Sequence, residues 1–581
     1  MPRDGTEDFF DSIIVGGGSA GCVLANRLSA DPAERVLLVE AGIDTPPGQV
    51  PEAILDSYPM PLFHGDTYVW PGLKARTASL PGGGHGERAY EQGRVMGGGS
   101  SINVQAANRG LPRDYDEWAA LGAEGWSWAE VLPYFRRLER DLDCSGALHG
   151  QDGPVPIRRI LPPHWPPFGE AVARAFDATG LPRRTDQNGE FEDGIFPPAF
   201  SNENDRRVST ALAYLDAATR ARPNLAIMAS TRVTGLILSG RRVQGVELRQ
   251  DGQTRLVRAG RVVLTAGALQ TPALLLRAGI GPGAELKALS IPVAIERPGV
   301  GRNLRDHPAL TFCQYLPRAL RLPADYRRAS FVALRYSSEQ PGGSASDMYV
   351  SAAARAGWHA LGQRLGLYFL WCNRPWSAGS LQLTSPDPDR HPEVDLGLLD
   401  DPRDLARMVD GVRRLARLVL HPGLNPDPDE FFPAGFSPRI KRLSAFNSAN
   451  AKATALLGAA LDLAGPLRAL LLRHVMMSGR SMSGLLADDA ALADFVRRNV
   501  FGVWHASGTC RMGSPDDPGA VVDPSGKVIG SENLFVADAS VMPRLPTANT
   551  NIPVIMIAEK IGDSLRSMDR GSRHRVQEHS H

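Results

Sequence analysis

The strongest constraint on the fold is a glycine pattern near the start of the chain. In DSIIVGGGSAGCVLANRLSADPAERVLLVEAG, residues 11–42, an apolar run leads directly into Gly16, Gly18 and Gly21, which have the spacing G-x-G-x-x-G. Apolar residues then recur at helical spacing, and a second apolar run ends at Glu40. The segment therefore predicts a βαβ unit that binds a dinucleotide.

The residue types in this unit suit a pyrophosphate and a ribose. The first two glycines let the backbone turn and approach a pyrophosphate at the helix N-terminus, and the third allows close helix-to-strand packing. Glu40, 19 residues after Gly21, is placed to hydrogen-bond ribose hydroxyls, and its charge disfavours a ribose 2′-phosphate. A chance glycine turn is the alternative interpretation, and NAD and FAD both stay open.

A second glycine-rich stretch, GRVMGGGSSINVQAANRG, has no apolar strand before it and is predicted to be a loop. Its residues 97–101 are three glycines and two serines, which expose consecutive backbone N–H groups to an anion or let the backbone lie against a flat ring. A flexible surface turn is the alternative. Further on, two strands joined by Asp251-Gly252, a third strand at 261–264 and a helix from about Gln270 predict a β-meander, an insertion typical of FAD enzymes.

Composition excludes several classes of partner. The 581 residues carry a net charge of +1, which gives no field for nucleic acid or an anionic membrane. The five cysteines show no metal-ligand or redox spacing, and we expect reduced thiols and no metal. The polar start MPRDGTEDFF lacks an export signal, and the apolar region ATALLGAALDLAGPLRALLLRH is interrupted by charges, Gly and Pro, which favours a helix pair in a cytoplasmic protein.

Five further stretches carry a family resemblance. GRVMGGGSSIN, GALQTPALLLRAGIGP, PGVGRNLRDHP, WHASGTCRMG and FVADASVMPRLPTANTNIPVIMIAEKIGD are similar to successive signatures of the glucose-methanol-choline (GMC) oxidoreductases. The likeness spans nearly the whole chain. EAGIDTP, NRGLPRDYDEWAALGAEGW, FPPAF and PTANTN resemble the family's bacterial oxidases of furanic alcohols, although HASGTCRMG departs from the HASGTARIG of those oxidases.

The resemblance implies an α/β fold, α+β overall: a Rossmann-like FAD-binding domain with a β-meander, and a substrate-binding cap domain with an antiparallel sheet. The implied FAD-binding domain is discontinuous, and the intervening segments form the cap. We place its segments at 1–155, 198–310 and 494–570 and the cap at 156–197 and 311–493. The polar tail at 571–581 is expected to be disordered and to hold no metal.

The resemblance also implies the residues that contact FAD. Some relatives attach FAD through a His where this chain has Ile102, so the cofactor is expected to be non-covalent. The implied contacts are Gly16, Gly18, Ser19, Ala20, Gly21, Glu40, Ala41, Met96, Gly98, Ser101, Asn103, Val104, Val233, Ala266, Asp538, Ala539, Thr550 and Ile552.

The candidate catalytic pair is His505 and Asn549, 44 residues apart. A lone His is more often a packed core residue, but His505 matches the base of the family, and a neutral imidazole can take the hydroxyl proton of an alcohol. Asn549 is expected to hold the substrate oxygen; a turn or helix-cap role is its alternative. A helix predicted from Asn551, with Pro553 in its first turn, would point its positive end at the flavin.

The substrate side is less constrained. Trp504 and Trp371 are candidates for stacking against flat aromatic or furanic alcohols, with core packing as the alternative for both. Cys372 is expected to pack as a small hydrophobic residue.

The resulting hypothesis is an FAD-dependent oxidase that converts primary alcohols to aldehydes, and hydrated aldehydes to acids, with O₂ as acceptor. The alternatives are a dehydrogenase of choline-type or aliphatic alcohols that uses a quinone or dye, and a hydroxynitrile lyase of the same family. A purely structural flavoprotein is the least favoured alternative.

Overall fold

The structure is a computed structural model of the chain. It describes residues 9–59, 62, 65–80, 82–323, 326–425, 427–434, 442–443, 445–476 and 481–578, with side chains described outside 473–476 and 570–578.

The strands of the described chain form two large sheets and several small ones. In chain order they are β1 (Phe9–Val15), β2 (Val36–Val39), β3 (Lys74–Ser79), β4 (His85–Ala89), β5 (Glu139–Asp141), β6 (Val155–Ile157), β7 (Gly194–Phe196), β8 (Asn202–Glu203), β9 (Arg206–Arg207), β10 (Leu225–Met228), β11 (Arg232–Ser239), β12 (Arg242–Gln250), β13 (Gln253–Leu264), β14 (Ile280–Gly281), β15 (Ile295–Glu296), β16 (Pro308–Tyr315), β17 (Ser330–Tyr336), β18 (Met348–Ala353), β19 (Leu365–Cys372), β20 (Ser380–Gln382), β21 (Glu393–Asp395), β22 (Phe431–Pro433), β23 (Phe501–Gly502) and β24 (Leu534–Val536).

The α-helices of the described chain range from single turns to one long C-terminal helix. In chain order they are α1 (Ser19–Leu28), α2 (Glu52–Leu55), α3 (Gly99–Ile102), α4 (Pro112–Ala120), α5 (Trp128–Leu138), α6 (Pro167–Phe176), α7 (Thr210–Tyr214), α8 (Ala217–Arg220), α9 (Gly267–Arg277), α10 (Gly283–Ala288), α11 (Pro402–Val419), α12 (Ser448–Leu463), α13 (Arg468–Met476), α14 (Met482–Ala487), α15 (Asp489–Asn499) and α16 (Asn551–Glu578).

The first large sheet contains the predicted βαβ unit. Strands β10, β2, β1, β13 and β24 run parallel, and β1 lies between β2 and β13. The residues of β2 and the second half of β1 are buried, as expected of a parallel sheet covered on both faces. Helix α1 packs its Val23 and Leu24 into the core next to this sheet. The strand–helix–strand arrangement predicted for residues 13–40 is therefore confirmed.

The β-meander is confirmed with two corrections. Strands β11, β12 and β13 form it, and Asp251, at a positive φ of 50°, makes the tight turn with Gly252. The predicted separate strand at 261–264 is the second half of β13, because the same strand pairs first with β12 and then with β1 and β24. The helix after it begins at Gly267 rather than near Gln270, because Asp538 accepts the N–H of Gly267 at 2.8 Å.

The second large sheet is antiparallel and runs in the order β22, β16, β19, β18, β17, β7, with β23 paired to the start of β16. It confirms the antiparallel sheet expected of the cap. Pairing of β23 with β16 brings Phe501 opposite Ala309, so the chain enters the His505 segment directly from this sheet. The residue borders proposed between the two domains stay a prediction.

Two other predictions need correction. The glycine-rich loop contains a single helical turn, α3, because the amide of Asn103 closes onto the carbonyl of Gly99 at 2.9 Å. The tail expected to be disordered from residue 571 is helical to Glu578, because it continues α16, which is anchored in the core through Ile557, Ile561 and Leu565; residues 579–581 lie outside the described residues. Among the described residues, none of the helices combines the length and apolar character needed to cross a bilayer.

Candidate active site

One large cavity joins the glycine-rich turns to the predicted catalytic pair. Its volume is about 1210 Å³. Gly18, Glu40 and Ala266 line one end, and His505 and Asn549 line another part of the same space. The parallel and antiparallel sheets therefore enclose a single site between them.

The glycine turn after β1 is shaped by close backbone contacts. Gly16 has a φ of +107°, which favours glycine, and a Cβ on Gly21 would lie 1.9 Å from the carbonyl oxygen of Gly16. A Cβ on Gly18, by contrast, would meet no atom closer than 3.8 Å, and Gly18 lines the cavity. The first and third glycines therefore serve the fold, and the second leaves room for a ligand.

Glu40 at the end of β2 also lines the cavity. Its carboxylate accepts the N–H of Gly17 at 2.8 Å and that of Gly42 at 2.7 Å. Burial raises the pKa of Glu40 to about 7, although these backbone bonds act in the opposite direction. A ribose hydroxyl donated to this carboxylate would satisfy one of its remaining lone pairs.

Three helix N-termini meet the cavity. The first residues of α1, α9 and α16 line it, and neither Gly18 nor Ala266, which precede α1 and α9, offers a capping side chain. The starts of α1 and α16 touch each other, since Ser19 Oγ donates to Asn551 Oδ1 at 2.8 Å. Asp538 takes the first N–H of α9, so the uncapped N–H groups and the dipole of α1 make the part of the wall at Ser19 suited to a negatively charged group such as a pyrophosphate.

Unpartnered polar atoms support the fit of a dinucleotide. Within the described chain, Ser57 Oγ, Tyr58 OH, Gln270 Nε2 and Arg277 Nε are buried, have no hydrogen-bond partner and belong to residues that line the cavity. Buried polar groups are normally satisfied, so these atoms point to a polar ligand or water. The residues present in this cavity therefore fit a dinucleotide.

The predicted catalytic pair is in direct contact. Asn549 Nδ2 lies 3.1 Å from His505 Nε2, and the other ring nitrogen of His505, Nδ1, lies 2.8 Å from His307 Nδ1. His307 in turn places its Nε2 3.0 Å from the carbonyl oxygen of Asn373. Four residues thus form one hydrogen-bonded chain that ends at the cavity.

The direction of these hydrogen bonds fixes the tautomer of His505. A carbonyl oxygen only accepts, so His307 Nε2 carries a hydrogen, and neutral His307 must accept at Nδ1. His505 therefore donates from Nδ1, and its Nε2 keeps the lone pair. The amide of Asn549 is the donor that matches a lone pair at that position.

Burial keeps both rings neutral. It lowers the pKa of His307 to about 4. Burial also lowers the pKa of His505 well below its usual range, and the neighbouring His307 lowers it further. Of the ring nitrogens of His307 and His505, the unprotonated one that meets Asn549 is therefore His505 Nε2.

Asp306 holds the backbone that presents His505. One carboxylate oxygen accepts the N–H groups of Val503 at 3.1 Å and His505 at 3.0 Å, on either side of Trp504. The other oxygen accepts Tyr90 OH at 2.5 Å. Trp504 has a φ of +60°, which is unusual for a bulky side chain and requires this kind of external support.

Aromatic side chains form the wall near His505. Trp371 stacks on Tyr349 with ring centroids 4.4 Å apart, and Phe501 lies 5.9 Å from Trp504. All four residues line the cavity. Both tryptophans therefore pack in an aromatic cluster and also line the cavity, and their role in stacking against a substrate stays a prediction. Cys372 is fully buried, and burial raises the pKa of its thiol, as expected of a packed residue.

Most of the predicted site residues surround the cavity. Those that line it are His505, Asn549, Trp504, Trp371, Gly16, Gly18, Ser19, Ala20, Glu40, Ala41, Gly98, Asn103, Val104, Val233, Ala266, Asp538, Ala539 and Thr550. The other four, Gly21, Met96, Ser101 and Ile552, lie behind the wall. Met96 packs beneath Gly17, and Ser101 Oγ donates to the carbonyl of Met96 at 2.7 Å, so these two shape the loop from inside.

The sequence-based prediction missed His307, Asp306 and Tyr90. The signal for two of them was present, since Asp306 and His307 belong to the family-like stretch PGVGRNLRDHP. A second buried cluster was also missed: Asp141, Cys144 and His149 bring possible metal ligands within 4.8 Å of one another. Ion pairs with neighbouring side chains already engage both His149 nitrogens, and the expectation of no metal stays a prediction.

Comparisons with known proteins agree with this architecture. Sequence profiles described as GMC oxidoreductase match residues 10–309 and 375–558. The chain is 45% identical to 5-(hydroxymethyl)furfural oxidase of a Methylovorus species, over 96% of this chain and 99% of that protein. It is 32% identical to oxygen-dependent choline dehydrogenase of Photobacterium profundum, over 96% and 93%. Among solved structures, pyridoxine 4-oxidase of Mesorbium loti superposes with a TM-score of 0.77 at 28% identity, covering 96% of this chain and 99% of that one.

Proposed function

The chain belongs to the GMC oxidoreductase family of FAD-dependent enzymes that act on alcohol and aldehyde groups, and from this premise we propose that it oxidises primary alcohols of aromatic or furanic type to aldehydes with O₂ as acceptor. Its 45% identity to a 5-(hydroxymethyl)furfural oxidase supports this substrate class. Hydrated aldehydes, which carry the same CH–OH group, are proposed as second substrates that yield acids.

The observation that carries the proposal is the pair of His505 and Asn549. Their side chains lie 3.1 Å apart in the wall of the cavity that also contains the dinucleotide cradle. A base and a hydrogen-bond donor that close together can hold one hydroxyl oxygen between them.

The proton step uses the lone pair on His505 Nε2. An alcohol hydroxyl donates its hydrogen to this nitrogen as the carbinol carbon loses a hydride, and the product is a carbonyl. FAD, when bound, supplies the hydride acceptor at N5. His505 becomes an imidazolium, whose Nδ1–H still bonds to His307, so the charge is formed on a ring that already has a partner. A positioned base of this kind contributes about 10²–10⁴ in rate.

Asn549 orients the substrate oxygen. Its side-chain amide donates and cannot take the proton at neutral pH, so it does not compete with His505. The N-terminus of α16, two residues further on, favours negative charge in the cavity by about 0.3–2 kcal/mol. Together they stabilise the oxygen as its proton leaves.

The aromatic wall favours flat substrates. Trp371 and Trp504 border the space beside His505, and a benzyl or furfuryl ring can stack or pack edge-on against them. The cofactor is proposed to be non-covalent because Ile102, which lines the cavity where some relatives use a His, has no nucleophilic atom.

One contact favours a second candidate substrate. Glu91 lines the cavity and accepts Trp504 Nε1–H at 3.0 Å, so a carboxylate lies next to aromatic rings. That combination can hold a quaternary ammonium group, and the 32% identity to a choline dehydrogenase supports the same interpretation. The second candidate is therefore dehydrogenation of choline-type alcohols with a quinone or dye acceptor.

A substrate panel separates these candidates. Under anaerobic conditions, furfuryl and benzyl alcohols should bleach the bound flavin within one turnover, faster than choline or ethanol. Under air, the aromatic alcohols should give one hydrogen peroxide per aldehyde. Dye reduction without peroxide would replace the oxidase by the dehydrogenase, and a flavin that no alcohol bleaches would contradict both.

A further inference from the structure

The helix pair α12–α13 exposes an unusual amount of apolar surface. Six of the fourteen large hydrophobic side chains exposed in the described chain lie between residues 446 and 471. They are Phe446, Leu456, Leu463, Leu467, Leu470 and Leu471, with Leu463 at 85% and Leu456 at 74% exposure. A concentration of this kind marks an interaction surface, whereas scattered exposed leucines need no explanation.

These six side chains, called the stripe below, come from two helices, the turn between them and, for Phe446, the segment just before α12. Leu456 and Leu463 lie seven residues apart and project from one side of α12, and the chain then turns at Gly465, with a φ of +49°, before Leu467, Leu470 and Leu471 follow. The alanines at 453, 459 and 460 on α12 are exposed as well. The opposite face of α12 is already occupied, since Thr454, Gly458 and Leu461 are buried against the rest of the protein. The outward face is therefore the apolar one, the reverse of an ordinary surface helix.

The surrounding sequence is strongly basic. Residues 436–480 contain seven Lys or Arg and one acidic residue, Asp462, a net charge of +6 in a chain whose total is +1. Asp462 is engaged inward, with ion pairs to Arg321 and Arg364 at 2.6 and 3.0 Å. Arg468 is paired inward in the same way, with Glu430 at 3.1 Å. Lys452 on α12 and Arg442 before it are exposed, and Arg439, Lys441 and Arg480 lie outside the described residues. The segment is therefore basic in sequence although the whole chain is close to neutral.

We propose that this stripe docks on an anionic lipid surface, with its leucines in the interfacial region of the bilayer and the exposed Lys452 and Arg442 on the lipid headgroups. Apolar side chains flanked by Lys and Arg are the combination that binds such a surface without spanning it. A second copy of the chain fits less well, because the same +6 segment would face itself. The proposal departs from the expectation of no membrane partner, which was drawn from the net charge alone.

The stripe adjoins residues that line the active-site cavity, so docking would bring a lipid surface close to that cavity. Leu443 and Ala445, just before α12, line the active-site cavity, together with Leu361 and Leu365 below it. A lipid surface at α12–α13 would therefore lie at one border of the cavity, where an apolar alcohol or electron acceptor dissolved in the bilayer could enter. The docking itself does not depend on the proposed activity.

Vesicle sedimentation tests the proposal. The flavin-loaded protein is mixed with vesicles of phosphatidylcholine containing about one-third phosphatidylglycerol, or of phosphatidylcholine alone. We expect binding to the anionic vesicles at low salt, at least tenfold weaker binding to the neutral ones, and weakening at high salt as the charges are screened. Absence of binding to anionic vesicles, or equal binding to both kinds, would overturn the proposal.

Two matched triple variants identify the surface. L456Q/L463Q/L467Q should lower the partition coefficient at least tenfold, whereas L121Q/L142Q/L256Q, which alters three exposed leucines elsewhere, should not change it. Flavin content and thermal unfolding should match the unaltered protein in both. Equal binding by the two variants would overturn the assignment, and so would a dimer in lipid-free solution that only the first variant dissociates, since a second copy would then be the occupant.

Discussion

Two buried histidines in this protein differ in charge, since one is neutral and the other is a cation. His505 and His149 are both less than a tenth exposed, and both ring nitrogens of each have a hydrogen-bonding neighbour. They differ in what those neighbours are. His505 faces another imidazole and an amide, and His149 faces carboxylates.

His149 lies in a cluster of buried, oppositely charged side chains. Its Nδ1 is 3.1 Å from Asp141 and 3.3 Å from Glu139, and its Nε2 is 2.9 Å from Asp186. Burial acts to lower the pKa of His149, but the hydrogen bonds to Asp141, Asp186 and Glu139 outweigh it and raise the pKa to about 10. Carboxylates only accept, so both nitrogens must carry hydrogens. With Arg109 and Arg159, three cations offset three anions.

The comparison shows that burial alone does not decide the protonation of a histidine. Where no carboxylate contacts the ring, desolvation wins and leaves His505 a neutral ring whose Nε2 lone pair faces the amide of Asn549. Where carboxylates surround the ring, they hold the proton and His149 becomes a structural cation. One histidine is thereby suited to accept a proton in a reaction, and the other to join chain segments.

The largest expected effect follows from replacing His505, the neutral histidine. We expect His505→Gln to lower kcat/KM for a good alcohol by about 10²–10⁴, because the lone pair that receives the hydroxyl proton is lost. Flavin content and thermal unfolding should stay unchanged. Stopped-flow reduction of the flavin is the measurement, and a rate within threefold of the unaltered enzyme would contradict the role of His505.

Breaking the ion cluster around His149 should lower stability and leave the reaction rate unchanged. His149→Gln leaves three carboxylates with two arginines, and loss of one partner from a buried ion cluster costs about 3–5 kcal/mol. We expect the free energy of unfolding to fall by that order while the flavin reduction rate of folded enzyme stays the same. His85→Gln, at an exposed position on β4, is the matched control and should be neutral. Equal stability of the two variants would show that His149 is not a structural cation.

How much of the site could be predicted from the sequence depended on how far apart the interacting residues lie along it. The dinucleotide cradle was predictable because Gly16, Gly21 and Glu40 are close in sequence and each has one backbone task. His505 and Asn549 were found through family resemblance, which transfers a role without any geometry.

The partners of both histidines escaped prediction because they are distant in sequence. His307 meets His505 across 198 residues, and Asp186 meets His149 across 37. Local propensity contains no information about such pairings, which depend on how β16 and the loop after β23 are registered. The length of β13 was missed for a related reason, since its pairing with β12, β1 and β24 makes one long strand of what the sequence divides in two.

A smaller effect is expected at the residue that orients His505. His307→Phe removes the acceptor for His505 Nδ1–H and leaves the tautomer of the base unselected. We expect kcat to fall about 10- to 100-fold with KM nearly unchanged, since small misplacement of a catalytic group has effects of this size. The pH profile of flavin reduction should also shift. His307→Gln, which can still accept at that position, should restore part of the rate; equal losses in both variants would indicate a packing defect instead.

The smallest expected effect is a change in how the free energy of unfolding depends on pH. The two histidines contribute to this dependence with opposite signs. The pKa of His149 is about 10 in the folded protein and near 6.5 when unfolded, so its contribution to stability is complete below pH 6.5 and is lost as the pH rises towards 10. Between pH 7.5 and 8.5 the loss of this contribution should lower the free energy of unfolding by about 1.4 kcal/mol, and His149→Gln should not show this decrease. His505, whose pKa is lowered, acts in the other direction: it favours unfolding only as the pH falls below 6.5, where the unfolded chain binds the proton first. Chemical unfolding of the protein and the His149→Gln variant across this range measures the difference, and parallel curves above pH 7 would mean that His149 holds no extra proton in the folded state.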